Sequence, residues 1–162
     1  MKALSTAVLI AAVVLGAGGG QAQTQTEGRR LADLTFDTFD LSGRGYVDMG
    51  QMLEVQDLFF VSMDRDENDR VSLDEFLSWD YGFSNIAADT DREAAYRTAL
   101  KVVHSFWDRN GDGEVSRRES RRAVFADFRR ADVDDDGLLS REEFVGGFSV
   151  MVALRAALGP LE

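Results

Sequence analysis

Cysteine is missing from this chain altogether, and proline and histidine each occur once in 162 residues. Without cysteine there can be no disulfide framework, and no structural zinc site can be built on thiolates. Any export of the chain must be tolerated without such bridges. The single histidine, His104, precedes an acidic stretch at Asp108 by four residues. Placed there it reads as a packed or surface residue, and no serine–histidine–acid set can be assembled around it. The sequence therefore predicts a protein that is not an enzyme. Basic residues are also in deficit, with 18 Lys and Arg against 29 Asp and Glu, for a net charge of −11. That balance argues against nucleic acid and anionic lipid as partners.

Long apolar runs are confined to the first residues. Lys2 is followed by an apolar run from Ala3 to Leu15, broken only by Ser5 and Thr6, and then by the small-residue exit Gly20-Gln21-Ala22. This is the pattern of a secretory signal peptide spanning residues 1–22. The run is short for a membrane span, which needs about 20 apolar residues. The expectation is an exported protein, periplasmic or secreted, whose mature chain begins at Gln23 and has no membrane span.

What the chain does have is a recurring acidic dodecad. Asp108–Glu119 reads DRNGDGEVSRRE, with side-chain oxygens at positions 1, 3, 5, 9 and 12: Asp108, Asn110, Asp112, Ser116 and Glu119. Gly113 at position 6 permits the positive φ that reverses the chain. Asp132–Glu143 repeats the pattern with Asp132, Asp134, Asp136, Gly137, Ser140 and Glu143. Asp64–Glu75 repeats it with Asp64, Asp66, Asn68, Ser72 and Glu75, but has Asp69 at position 6. Asp tolerates the left-handed region better than most residues, so this loop is expected to close. A hard divalent cation takes six to eight oxygens at about 2.3–2.6 Å, and this spacing can supply them from one turn. The backbone carbonyls of Arg70, Glu114 and Leu138, at position 7, would add one ligand per loop. The glutamate at position 12 would add two oxygens.

These dodecads match D-x-[DN]-x-[DN]-G-x5-E, the calcium loop of the EF-hand. The chain resembles the EF-hand calcium-binding family over most of residues 31–158. The resemblance implies an all-α fold of four helix–loop–helix units in two closely spaced pairs, with Ca2+ as the bound ion. The fourth unit is Asp40–Gln51, read DLSGRGYVDMGQ. Asp40, Ser42, Gly45 and Asp48 fit the pattern, while Arg44 puts a cation at position 5 and Gln51 puts a neutral oxygen at position 12. This loop is expected to keep its shape, lose its metal and pair through Val47 with another loop.

Taken in order, Gln23–Arg30 is polar and expected to fray. Leu31, Leu34, Thr35 and Phe39 mark a helical face leading into the first loop. Met49–Met63 reads as a helix with Met52, Val55, Phe59, Phe60 and Met63 as its apolar stripe. Leu73–Tyr81 continues as the exit helix of the second loop, with Phe76 and Trp79 facing inward. Gly82–Asp89 reads as a linker between a first unit, residues 23–81, and a second, residues 90–162. Thr90 and Glu93 are spaced as a capping box for the next helix, whose buried face is Tyr96, Leu100, Val103 and Trp107. Ser116–Ala131 interleaves six arginines with Val124, Phe125 and Phe128, and is expected to be a solvated face that balances the acidic loops rather than a basic docking helix. Phe144, Phe148, Met151, Leu154 and Leu158 predict one last amphipathic helix, weakened by Gly146 and Gly147 and ended by Gly159-Pro160.

Only 12 residues separate loops one and two, and 12 separate loops three and four. That is room for one helix of about 18 Å, where calmodulin-like proteins fit an exit helix, a linker and an entry helix. One helix then serves two loops at its opposite ends, so loop two is expected to pair with loop three and loop one with loop four. Close spacing and export are also similar in part to the lanmodulins, exported EF-hand proteins selective for lanthanides. Those carry proline at position 2 and an acid at position 9. Here position 2 is Leu41, Arg65, Arg109 or Val133, and the three intact loops have serine at position 9, so calcium is preferred over a lanthanide. The functional expectation is a calcium sensor that exposes an apolar groove to a protein partner, around Met52, Phe59, Phe60 and Met63. The alternative is a calcium buffer, or a calcium-stabilised module with no switch.

Overall fold

The structure is a computed structural model that describes residues 27–158. The proposed leader and the Gly159-Pro160 stop lie outside those residues. Among the described residues there are eight helices and four strands of three residues each. The order is α1 (Glu27–Phe39), β1 (Tyr46–Asp48), α2 (Met49–Met63), β2 (Arg70–Ser72), α3 (Leu73–Ser78) and α4 (Ser84–Asp89). It continues with α5 (Glu93–Trp107), β3 (Glu114–Ser116), α6 (Arg117–Ala131), β4 (Leu138–Ser140), α7 (Arg141–Gly147) and α8 (Ser149–Leu158). Among them no helix is long and apolar enough to cross a membrane.

Each strand is the exit of an acidic loop, and each carries one buried apolar residue at its centre: Val47, Val71, Val115 or Leu139. Those four residues pair two by two. β1 lies antiparallel to β4 with Val47 opposite Leu139, and β2 lies antiparallel to β3 with Val71 opposite Val115. Burying a Val or Leu contributes roughly 1.5–3 kcal/mol relative to leaving it exposed, so each junction is an apolar pin through two polar loops. Loop one thus meets loop four, and loop two meets loop three. The reason is α2 and α6, each a single unbroken helix of 15 residues. A loop at either end of a straight rod cannot touch its neighbour at the other end. The two rods pack on each other through a buried hydrogen bond from Gln56 Nε2 to Ser120 Oγ, 3.0 Å. An exposed ion pair between Asp57 and Arg121 flanks it and, being screened by solvent, contributes little.

Several boundaries differ from expectation. Glu27–Arg30 belongs to α1. The buried face of α1 is Ala32, Phe36 and Phe39, and Leu34 is exposed. Phe36 and Phe39 meet Phe144 edge-on or tilted, with ring centroids 5.6 and 5.0 Å away, so two aromatic positions set the helix rotation. The exit helix of loop two stops at Ser78 rather than Tyr81, because Trp79 turns to an extended ψ of 136°. Trp79 then packs beside Phe59 and Tyr81. The expected linker, residues 82–89, contains α4: its breaker residues Ser84 and Asn85 open a helix that buries Ala87, and Phe83 just before it is also buried. Thr90 does not cap α5. Its hydroxyl donates to the Ile86 carbonyl at 2.6 Å, and the N-cap is Arg92 with no side-chain cap bond.

The last expected helix is two. Phe148 adopts an extended ψ of 122° between α7 and α8. The freed Ser149 N–H donates to Oδ2 of Asp127, a buried carboxylate on α6, at 3.2 Å, and the Ser149 hydroxyl bonds the same oxygen. Gly147 has a packing reason. A Cβ there would stand 2.5 Å from Cα of Ala131 at the end of α6. Gly146, one residue earlier, has open space around it. Gly147→Ala is therefore expected to destabilise by about 1–3 kcal/mol through overpacking against backbone. Gly146→Ala is expected to be neutral or to stabilise by up to about 1 kcal/mol. Denaturant melts of the two variants check this; equal effects would mean that α6 and α7 do not approach so closely.

Candidate metal centres in the acidic loops

The same hydrogen-bond scaffold recurs in loops two, three and four, and loop one shares its position-1 part. The aspartate at position 1 accepts the backbone N–H groups of positions 5 and 6. In loop two, Asp64 takes them from Asn68 and Asp69 at 3.0 and 2.9 Å. In loop three, Asp108 takes them from Asp112 and Gly113 at 3.2 and 2.8 Å. In loop four, Asp132 takes them from Asp136 and Gly137, both at 3.1 Å. Position 3 accepts from the N–H of position 5, as Asn110 does from Asp112 at 2.8 Å. Position 5 accepts from position 7: Asn68 from Arg70 and Asp136 from Leu138, both at 2.8 Å, and Asp112 from Glu114 at 3.0 Å. Position 1 thus gives both carboxylate oxygens to the turn, while positions 3 and 5 each give one to the backbone. Asp69 is held at φ +63° in the position that Gly113 occupies at +90°, so the loop closes without glycine there.

The glutamate at position 12 folds back over its loop. Oε1 of Glu75, Glu119 and Glu143 accepts the backbone N–H of position 2, from Arg65, Arg109 and Val133 at 2.9, 3.2 and 2.9 Å. Oε2 accepts the N–H and hydroxyl of the serine at position 9, which in turn takes the glutamate's own N–H. Ser72, Ser116 and Ser140 are thereby the N-caps of α3, α6 and α7 in reciprocal capping boxes. Read only as ninth-position oxygens, these serines had a legible second role. The spacing S-x-x-E ahead of an apolar run is the capping signature. Burial pushes the carboxyls of Glu75, Glu119 and Glu143 up, but hydrogen bonds from the serines and backbone outweigh it and leave each below the ordinary glutamate range. Asp112 is likewise held low, first by the Asn110 amide and then by the Glu114 backbone.

Two of the three intact loops bring a triad of acids together. Ligand oxygens of Asp64, Asp66 and Glu75 lie within 4.8 Å of one another, as do those of Asp132, Asp134 and Asp136. Loop three, with the neutral Asn110 at position 3, forms no such triad. Its Asp112 is engaged by Arg70 of loop two at 3.0 Å, and Glu114 by the same guanidinium at 3.3 Å. Arg117 returns the contact to Asp69 of loop two at 2.9 Å. The donors are all oxygen, a set that suits hard cations such as Ca2+, Mg2+ or Mn2+. His104, by contrast, is buried, with a ring nitrogen 3.3 Å from the Val71 carbonyl and its ring against Phe76. It braces the β2–β3 junction.

Titration with a divalent cation is expected to lose one equivalent on Glu143→Gln and one on Glu119→Gln, and none on Gln51→Ala; calorimetry reads this directly. In chelator, the depressed glutamates should add stability that is full above the ordinary glutamate value of about 4.3 and fades as pH falls through their lower folded values. The gap in melting temperature between the chain and Glu119→Gln is therefore expected to be widest at pH 7 and to close in acid. A gap independent of pH would mean that the charge of Glu119 does not matter.

A scan against models of known protein families finds no match for the chain, and neither does a search of curated proteins.

Proposed function

We propose that this chain is a calcium-binding protein of the EF-hand type, exported by way of residues 1–22, with three metal-competent loops and one that takes no metal. The observation that carries the reading is the shared scaffold of loops two, three and four. In each, positions 1, 3 and 5 are turned by backbone N–H groups while a position-12 glutamate folds over the same turn. Calcium tolerates the flexible, carboxylate-rich, seven- or eight-oxygen site such a loop can offer. Lanthanides are hard ions too, but position 2 lacks proline and the intact loops have serine at position 9.

The role proposed for the bound ion is that of a sensor acting on a protein partner. The surface expected to open with calcium, around Met52, Phe59, Phe60 and Met63, is covered in this structure. Met52, Phe60 and Met63 are buried in the core, and Phe59 is half-buried. A groove of about 1000 Å³ lies instead among α5, α6, α7 and α8, with Val102, Phe106, Ala123, Gly146, Val152 and Ala153 among its walls. Phe106 is 74% exposed at its edge. Trp107 lines it too, and its buried indole N–H has no hydrogen-bond partner. A partner offering apolar side chains fits this surface.

The test is a calcium titration of the chelated protein followed by helicity and by a hydrophobic dye. Calcium is expected to raise the melting temperature and dye binding together, and Phe106→Glu is expected to abolish the dye response while leaving the calcium equivalents intact. If calcium stabilises the fold but dye binding stays flat or falls, the chain is a buffer or a calcium-stabilised module instead.

A further inference from the structure

Loop one has the wrong residues for a metal, yet its side chains are gathered around one positive centre. Arg44, at position 5, donates through Nε to Ser42 Oγ at 2.7 Å and through Nη1 to the Tyr46 hydroxyl at 3.1 Å. Its Nη2 donates to Asp48 Oδ2 at 2.9 Å and to Gln51 Oε1 at 2.7 Å. Ser42, Asp48 and Gln51 are positions 3, 9 and 12, the places from which the other loops offer oxygens. Position 1, Asp40, still holds the N–H groups of residues 44 and 45, at 3.0 and 2.7 Å. Gln51 Nε2 closes the ring by donating to Ser42 Oγ at 3.0 Å. The guanidinium also covers the Tyr46 ring, 4.4 Å from its centre.

A guanidinium is a permanently charged plane with five donors in a fixed fork. It can gather several oxygens at once, as a metal does, but at hydrogen-bond rather than coordination distance. Gln51 suits that occupant better than glutamate would. Its Oε1 accepts from Arg44 while its amide donates to Ser42, which a carboxylate cannot do. The contrast lies in the other loops: in loop three an arginine reaches only the rim, where Arg70 of loop two meets Asp112 and Glu114. Among the described residues, Asp64, Asp66, Asp132, Asp134 and Asp136 have no arginine within ion-pair distance.

We propose that loop one is a cation site whose permanent occupant is the chain's own Arg44 guanidinium, so that the β1–β4 junction keeps its form without metal while the β2–β3 junction depends on metal. Loop four is then pinned, through Val47 and Leu139, to a loop that is already closed. Loops two and three are pinned to each other and bridged by Arg70 and Arg117, but neither bridge places a guanidinium among positions 3, 9 and 12 of one loop as Arg44 does. Arg44 is in this sense a built-in ion that sets the order of assembly.

The first test is hydrogen exchange of the unaltered protein in EDTA. Amides of Val47 and Leu139 are expected to be protected about tenfold or more over those of Val71 and Val115; equal or reversed protection overturns the proposal. Arg44→Met should lower the melting temperature in EDTA by about 3–6 °C and erase that difference. Arg44→Lys should restore only part of it, since an ammonium lacks the fork. A melting temperature unchanged by Arg44→Met also overturns the proposal, and if that variant does not fold at all, the exchange pattern of the unaltered protein decides. The last arm rests on the calcium reading: Arg44→Asp combined with Gln51→Glu should gain one calcium equivalent and melt low in EDTA. If the unaltered protein binds no calcium, the proposed function fails, and the EDTA arms still judge Arg44 on their own.

Discussion

Twelve residues between two loops leave no room for a helix, a turn and another helix. That constraint shapes everything else in this chain. α2 and α6 must each run straight from one loop to the next, and a helix of 15 residues holds its ends about 22 Å apart. A loop with one buried valine or leucine and a short open strand needs a partner, because an unpaired strand leaves backbone groups unsatisfied. Since the adjacent loop is out of reach, each finds its partner in the other half of the sequence. The two halves are thereby knitted into one core, with Phe36, Phe39, Phe144 and Phe148 on one side and Phe76, His104 and Trp107 on the other.

The acidic excess is handled locally. Backbone N–H groups engage both oxygens of the carboxylates at positions 1 and 12 of loops two, three and four, and arginines reach Asp48, Asp69, Asp112 and Glu114. Arg117 and Arg141, both at position 10 of their loops, lie over Phe60 and Phe36 at 4.7 and 4.5 Å. Each also reaches an aspartate on a distant element, Asp69 and Asp37 respectively. The arginines of α6 are thus partly a balancing face, as their composition suggested, and partly fasteners between elements. Arg44 goes further by standing inside a loop. Such exposed pairs contribute little each. Their effect here is geometric, since they tie one element to another.

The loops were legible because their chemistry is local. The spacing of side-chain oxygens, the turn residue and the exit strand all fall within twelve consecutive residues, so Asp64, Asp66, Asn68, Arg70, Glu75 and their counterparts can be placed on one turn by counting. Local signals failed where a distant residue decided. Thr90 and Glu93 carry a capping spacing, but the Thr90 hydroxyl found the Ile86 carbonyl first. Residues 82–89 read as breakers, yet burial of Phe83 and Ala87 made a helix worthwhile. The single last helix was split at Phe148 by Asp127, which lies 22 residues away and offers Ser149 a better partner than α-helix continuation would. Where an apolar stripe is covered is likewise a tertiary matter, as the stripe of Met52, Phe60 and Met63 shows. Periodicity shows that a stripe is apolar, and only the packing of α2 on its neighbours shows that the stripe is already covered.

By itself, the sequence determined the four loops, the long helices α2 and α6, and, through the spacer length, the pairing of loop one with loop four and loop two with loop three. These follow from backbone geometry and from residues close in sequence, which act before any tertiary contact exists. Only the tertiary structure decided the exchange of arginines between loops two and three, the close approach of Gly147 to Ala131, and the open groove beside Phe106. Each of these depends on how side chains from remote segments divide a shared space. The enclosure of Arg44 falls between the two: its residues were all within one dodecad, but a cation at an oxygen position reads as a defect until the side chains around it are seen to close on it.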